Sequence, residues 1–282
     1  MFSMRIITQA LGMTPIEELR VRIHGVPGSP VLVYLPGVHG DWTLVASFRK
    51  AVSDQVRFVE FTYPRLPDWS LSDYAQSIEK ALADNRMCRV WLLGESFGSQ
   101  IAWELARRNR VKKDAAGGLE IQGIILAGGF VRHPFMFSVR AAHWIWNVTP
   151  ICFFYQFLKF YAAAAPYRHR HAPETLADLG EFVARRNADD KAALGRRLHL
   201  IIENDLRPTA RGFKAPVYYL SGGLDPVVPW FPVRRWLRLQ CPGFRQATIL
   251  PRADHNVLGT EPKDSARHIL AWIANNPDSR NQ

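Results

Sequence analysis

The sequence predicts an α/β protein: a mostly parallel central sheet flanked by helices, with a block of helices inserted into it. Three observations predict this. Short apolar runs rich in Val, Ile, Leu and Tyr alternate with amphipathic segments. The runs end in Gly or Pro turns. Residues 131–210 break the alternation with one long aromatic stretch and then polar helical segments. Near-continuous apolar runs suit parallel strands, which are buried on both faces. A chain of 282 residues has length for one large domain or two small ones.

Residues 31–38, VLVYLPGV, read as a buried strand ending in a Pro-Gly turn. Residues 56–63, VRFVEFTY, alternate until Pro64 ends them. Residues 70–84 read as a helix with Ser70 or Ser72 as its cap. Residues 89–93 form a strand and 97–110 a helix. Strands follow at 121–127, ending in Gly128-Gly129, and at 216–221, ending in Gly222-Gly223. Residues 246–250 are a short strand and 262–275 a closing helix. The 131–210 stretch carries HPFMFSVRAAHWIWNVTPICFFYQFLKFYAAAAP and is read as a helical insertion. Arg140, His143, Asn147, Pro150 and Lys159 interrupt it, which argues against a membrane span, and no clean apolar run of 18 residues occurs.

At residues 89–106, RVWLLGESFGSQIAWELA, a strand runs into Gly94-Glu95-Ser96-Phe97-Gly98 and a helix follows. Small residues at 94 and 98 permit a sharp strand-to-helix turn that exposes the middle side chain in a strained backbone conformation. A serine hydroxyl is a poor nucleophile alone; it needs a base within hydrogen-bond reach and a third group to orient that base. Asp225 lies just past the 216–221 strand in YYLSGGLDPVVP, and His255 just past the 246–250 strand in ATILPRADHNVL. All three candidates therefore sit beyond strand ends, where open α/β sheets bind ligands. An oxyanion hole needs two backbone N–H groups, for which Phe97 and, in the Pro36-Gly37-Val38 turn, Val38 are the candidates.

The chain order Ser96, Asp225, His255 and the surrounding motifs resemble the α/β-hydrolase superfamily over roughly 28–130 and 212–275. LPGVHGD looks like the family's oxyanion turn, often written with His-Gly where this chain has Pro36-Gly37. GESFGS looks like its nucleophile elbow, SGGLDPVVP its acid loop and ADHNVL its histidine loop. The resemblance implies an α/β-hydrolase fold with a core domain of 1–130 and 211–282 and a helical cap or lid over 131–210. It places the first sheet strands within 1–30, with LRVRIHG as the candidate. It implies a serine hydrolase for a carboxylic ester or thioester, working through an acyl-enzyme and needing no cofactor. Acyl transfer and C–C bond hydrolysis on the same triad are the alternatives within the family. A binding protein that kept the fold without the catalysis is the alternative outside it.

For substrate contact the candidates are Gly37, His39, Trp144, Trp146 and Phe153. Trp144, Trp146, Phe153, Phe154, Tyr155 and Phe157 exceed what two helices need for docking, so some of them are expected to line an apolar pocket or to touch lipid. An apolar or acyl-chain substrate follows. His39 also reads as a loop histidine bonded to its neighbours, Asp41 as a cap for the next helix, and Asp254 as pointing away from His255. His169 and His171 stand two apart, which does not put them on one helical face, so no metal site is expected. His133 and His143 read as packing or surface residues. Glu95 is given no catalytic role.

The net charge is +11, from 36 Lys and Arg against 25 Asp and Glu. Runs such as Arg168/Arg170, Arg185-Arg186 and Arg196-Arg197 are scattered, and no recognition helix or zinc finger appears, so nucleic acid is not the expected partner. The charge reads as solvated surface with an affinity for anionic membranes, and peripheral membrane contact through the aromatic cap is the corresponding expectation. Cys88, Cys152 and Cys241 are too few and too far apart for a disulfide framework; they read as packing residues of a cytoplasmic protein. The first twenty residues lack the sustained apolar region of a signal peptide.

Overall fold

The computed structural model describes residues 18–112 and 118–276. The reading of the extreme N-terminus therefore lies mostly outside the described residues. Among the described residues seven strands form one sheet: β1 (Arg20–His24), β2 (Val31–Leu35), β3 (Arg57–Thr62), β4 (Arg89–Glu95), β5 (Glu120–Ala127), β6 (Val217–Gly222) and β7 (Phe244–Leu250). Their order is β1-β3-β2-β4-β5-β6-β7. Only the β1–β3 pair is antiparallel. LRVRIHG does supply the first described strand.

Alternating residues of the central strands feed two cores, which is why these strands read as unbroken apolar runs. Val33, Leu35, Val90 and Leu92 face one layer of helices. Leu32, Tyr34, Trp91 and Leu93 face the other. The first layer holds α2 (Leu71–Asp84), α3 (Gly98–Lys112) and α9 (Trp230–Gln240). The second holds α1 (Ala46–Val52) and α11 (Pro262–Ala274). A 3₁₀ turn over Thr43–Val45 leads into α1, and a short α10 (Val257–Thr260) precedes α11. Ser70, not Ser72, caps α2: its hydroxyl accepts from the Asp73 N–H, and the Asp73 carboxylate accepts from the Ser70 N–H. The sequence reading did not locate α9, whose short segment lies between two loops.

Between β5 and β6 the chain leaves the sheet for five helices: α4 (Met136–Val148), α5 (Ile151–Arg168), α6 (Pro173–Ala184), α7 (Ala188–Glu203) and α8 (Arg207–Arg211). Helix α4 packs on α7, and α5 on α6 and α7. Phe154, Leu158 and Phe182 of this group close with Leu44 over the carboxyl ends of the strands. The parallel neighbours β2 and β4 mark the point where the strand order switches sides, so the connections after those two strands leave on opposite faces of the sheet and open a crevice beneath the helices.

Candidate active site

The site begins with a constrained turn. Gly98 starts α3 directly against β2, and a Cβ there would sit 1.9 Å from the Leu35 carbonyl oxygen. Only glycine permits that approach, and it brings Ser96 into the mouth of the crevice. Ser96 itself is held at φ +49°, a left-handed conformation that serine rarely adopts. The elbow is pinned from several sides. Its N–H donates to the Ala127 carbonyl, and the Ser99 hydroxyl donates to the carbonyls of Ser96 and Phe130.

Ser96 Oγ lies 2.9 Å from His255 Nε2, and His255 Nδ1 lies 2.8 Å from Asp225 Oδ2. The Asp225 carboxylate is fully buried, and its other oxygen accepts from the N–H groups of Val227 and Val228. An ionised carboxylate only accepts, so Nδ1 carries the imidazole proton and Nε2 presents its lone pair to the serine hydroxyl. The structure thus brings together Ser96, His255 and Asp225 from three separate loops. Asp254 turns instead to Arg168, 2.7 Å away, and to the N–H of Asn256.

The turn after β2 is tied down carbonyl by carbonyl. Pro36 O accepts from the Tyr63 hydroxyl, Gly37 O from the Gly40 N–H, and Val38 O from Arg197. His39 O accepts from Arg186, Gly40 O from the Tyr63 N–H, and Asp41 O from His39 Nε2. The N–H groups of Val38 and Phe97 have no acceptor among the described residues, although both residues border Ser96. A trans peptide sets N–H opposite C=O, so fixing the carbonyls also fixes where these donors aim. Gly40 holds φ +76°, a backbone conformation that L side chains rarely adopt, and the Arg197 guanidinium occupies the space where a Cβ would lie.

Arg186 and Arg197 come from the helical insertion and are buried. Arg197 bridges the carbonyls of Val38, at 2.9 Å, and Pro64, at 3.0 Å. Arg186 bonds the Asp41 carboxylate and pairs with Asp190, which also pairs with Arg65. Two cations and two anions balance in one buried cluster, the condition under which buried charge is tolerated. Burial pushes the Asp41 carboxyl up, but Arg186, His39 and the bonds from Thr43 outweigh it and hold it at about 2. Asp41 thus does receive the N–H of Thr43 as a cap would, but its main partner is Arg186. Burial lowers the His39 imidazole, and His39 Nε2 donates to the carbonyl of its neighbour Asp41. These contacts correct the reading of the arginine runs as solvated surface: Arg185, Arg186 and Arg197 turn inward.

Over Ser96 lies a cavity of about 590 Å³. That volume is in the range that holds small molecules. Gly37, Val38, His39 and Trp146 line it as the sequence suggested, while Phe97 lies buried behind the serine. Trp144 and Phe153 do not: they are 66% and 60% exposed, on the outside of α4 and α5. The cause is helical phase. Trp146 lies about 200° round the helix from Trp144, with its indole N–H bonded to the Lys191 carbonyl. Phe154 and Phe157, two of the six aromatics named from the sequence, do line it, and Leu158, Tyr161 and Phe182 complete an apolar wall that the sequence reading did not assign. Their signal was present as the spacing of 154, 158, 161 and 165, although nothing in the chain says which stripe faces inward. Glu95 also lines the cavity and takes a short hydrogen bond from the buried Tyr34 hydroxyl.

Among the described residues no group of three or more His, Cys, Asp or Glu is placed to hold a metal ion. His169 bonds the Gly259 carbonyl and the Tyr161 hydroxyl, whereas His171 pairs with Glu261. His133 Nε2 donates to the Val227 carbonyl, and its Nδ1 accepts from the Phe135 N–H. Cys88 and Cys152 are exposed, so of the three cysteines only Cys241 is a packing residue.

A curated relative named "Putative carbamate hydrolase RutD", from Cronobacter turicensis, is 28% identical over 227 residues, covering 76% of this chain and 80% of that protein. The enol-lactonase of Burkholderia xenovorans superimposes with a TM-score of 0.71 at 19% identity, over 91% of this chain and 96% of that one. A thermophilic esterase from Thermogutta terrifontis gives 0.66 at 18% identity, over 91% and 93%. Both solved structures share the fold. A family model described as the alpha/beta hydrolase family matches residues 23–268, and the chain belongs to that family.

Proposed function

We propose that this hydrolase cleaves carboxylic esters or thioesters of apolar acyl groups through a serine acyl-enzyme. The observation that carries the reading is the unbroken hydrogen-bond line from Ser96 Oγ to His255 to the buried Asp225 carboxylate. Ser96 Oγ attacks the acyl carbonyl while its proton passes to His255 Nε2. Asp225 holds the imidazole tautomer and stabilises the imidazolium that forms. The N–H groups of Val38 and Phe97 receive the developing oxyanion. His255 then protonates the leaving alcohol or thiol, and the C–O or C–S bond breaks. Water, deprotonated by His255, attacks the acyl-enzyme and releases the acid and free Ser96. The helices over the site act as a cap, and its wall of Trp146, Phe154, Leu158 and Phe182 favours an apolar acyl chain over a charged one. The esterase and lactonase names among proteins of the same fold agree with an ester bond.

A fluorophosphonate probe tests the nucleophile. Labelling of wild type and none of Ser96→Ala, with Ser96→Ala folded, is the expected result. A panel of p-nitrophenyl esters of rising acyl length, with an aryl carbamate beside it, then reads the bond and the pocket depth. A folded wild type that neither labels nor turns over any member of the panel overturns the proposal.

A further inference from the structure

Helix α5 is apolar on two sides, and the fold uses one of them. Phe154, Leu158, Tyr161 and Ala165 form a stripe that faces the cavity and α6. About a third of a turn round the helix, Phe153, Phe157, Phe160 and Tyr167 form a second stripe at spacings of four, three and seven residues. All four are exposed, Phe160 at 72%. Helix α4 repeats the pattern: Phe137, Trp144 and Val148 share its outer face, with Phe137 84% exposed. A helix that is apolar all round belongs inside a protein or against lipid, and these outer faces lie against nothing among the described residues.

Charge narrows the choice of what covers them. From Val131 to Pro173 the sequence holds Arg132, Arg140, Lys159, Arg168 and Arg170, and no Asp or Glu. Arg140 and Lys159 are exposed beside the aromatic stripes. Two copies of this face, joined about a twofold axis, would set cations against cations with no acid to compensate. A surface of anionic headgroups complements it, and interfacial helices carry this same combination of aromatic and basic residues. Among the described residues no helix is long and apolar enough to cross a membrane, so the contact is peripheral.

The face is continuous with the site. Phe157 belongs to the outer stripe and also lines the cavity. Leu224 and Val227, exposed on the loop that carries Asp225, complete an apolar rim at the same mouth. We propose that the outer faces of α4 and α5 seat the protein on a lipid surface bearing anionic headgroups, with the mouth of the cavity at the contact.

Vesicle flotation of the full chain tests this, and its readout needs no turnover, so it stands or falls separately from the hydrolase reading. Wild type floats with vesicles of phosphatidylcholine containing phosphatidylglycerol, and added salt weakens the binding. Arg140→Glu with Lys159→Glu lowers affinity for those vesicles by roughly fivefold for each cation lost, or more. Phe153→Ser with Phe160→Ser lowers it about a hundredfold. None of these residues lines the cavity, so both double variants keep wild-type thermal midpoints and wild-type turnover of a soluble short-chain ester. Wild type that ignores anionic vesicles overturns the proposal, as does binding that survives Phe153→Ser with Phe160→Ser. A dimer in solution that this same variant separates, with no vesicle binding by wild type, assigns the face to a second copy and likewise overturns it.

Discussion

The two sides of the cavity are built by different means. On the sheet side, strand ends deliver Ser96, Asp225 and His255, and the backbone sets their positions: a left-handed serine, a glycine pressed on Leu35, a carboxylate capped by two N–H groups. On the helical side, long side chains reach across. Arg186 and Arg197 bond the turn that carries Val38, while Arg168 bonds the loop that carries His255 and His169 bonds α10 just after it. The sheet side holds the proposed reacting groups, and the helical side holds the loops on which two of them ride. Damage to the first should remove chemistry from an intact frame, and damage to the second should loosen the frame around intact chemistry.

Asp225→Asn is the strongest form of the first. It keeps the side-chain shape but removes the charge that fixes the imidazole tautomer, so kcat should fall about 10⁴-fold with little change in KM or thermal midpoint. A loss of less than about tenfold would separate Asp225 from the chemistry. Arg197→Met is the counterpart on the helical side. It leaves the Val38 and Pro64 carbonyls without their donor in a buried place and frees the turn beside Ser96. A lapse of about an ångström in a positioned donor costs on the order of 100-fold, so kcat should fall by that amount while the fluorophosphonate still labels Ser96. Arg197→Lys should restore little, since one ammonium cannot span two carbonyls as the guanidinium fork does.

This division also explains what the sequence disclosed. The elbow was legible because Gly94, Ser96 and Gly98 are constraints on the backbone, and backbone constraints leave residue types at fixed spacing. Asp225 and His255 were legible because strand ends are readable and a triad needs both groups there. The role of Arg197 was not legible: an arginine in a helix looks the same whether it meets water or reaches Val38. Nor could the spacing within 151–168 reveal that Phe154 faces in and Phe153 faces out. Period gives the stripes, but only the tertiary neighbour decides which stripe is covered, and here both were apolar.

Acid should loosen the contacts between the insertion and the core. Lys50 and Ser47 hold the Glu174 carboxyl at about 2, and Asp41 also lies at about 2. A depressed folded-state value means stability that is fully present above about pH 4, where the unfolded carboxyl ionises, and lost as pH falls toward 2. The buried Asp41 contributes about 2 kcal/mol by this linkage; Glu174, half-exposed beside an exposed lysine, contributes less because solvent screens it. The thermal midpoint should drop between pH 4 and pH 2, and Asp41→Asn should flatten that slope while lowering the plateau. An unchanged slope in Asp41→Asn would show that the Asp41–Arg186 contact does not hold the insertion to the core.

The smallest effects come from tryptophans two residues apart. Trp146 lines the cavity and is anchored to Lys191, whereas Trp144 stands outside on the same helix. Trp146→Ala should raise KM for a long-chain ester about tenfold, the cost of losing one apolar wall, and leave the acetate ester nearly unchanged. A general loosening of the helices would slow both esters, so the contrast between them separates a pocket wall from a structural prop. Trp144→Ala should leave both soluble esters unchanged and weaken only the binding of vesicles. Equal effects of the two substitutions on the long-chain ester would mean that acyl chains run along the outside of α4 rather than beneath it, and the inner and outer faces of the insertion would exchange roles.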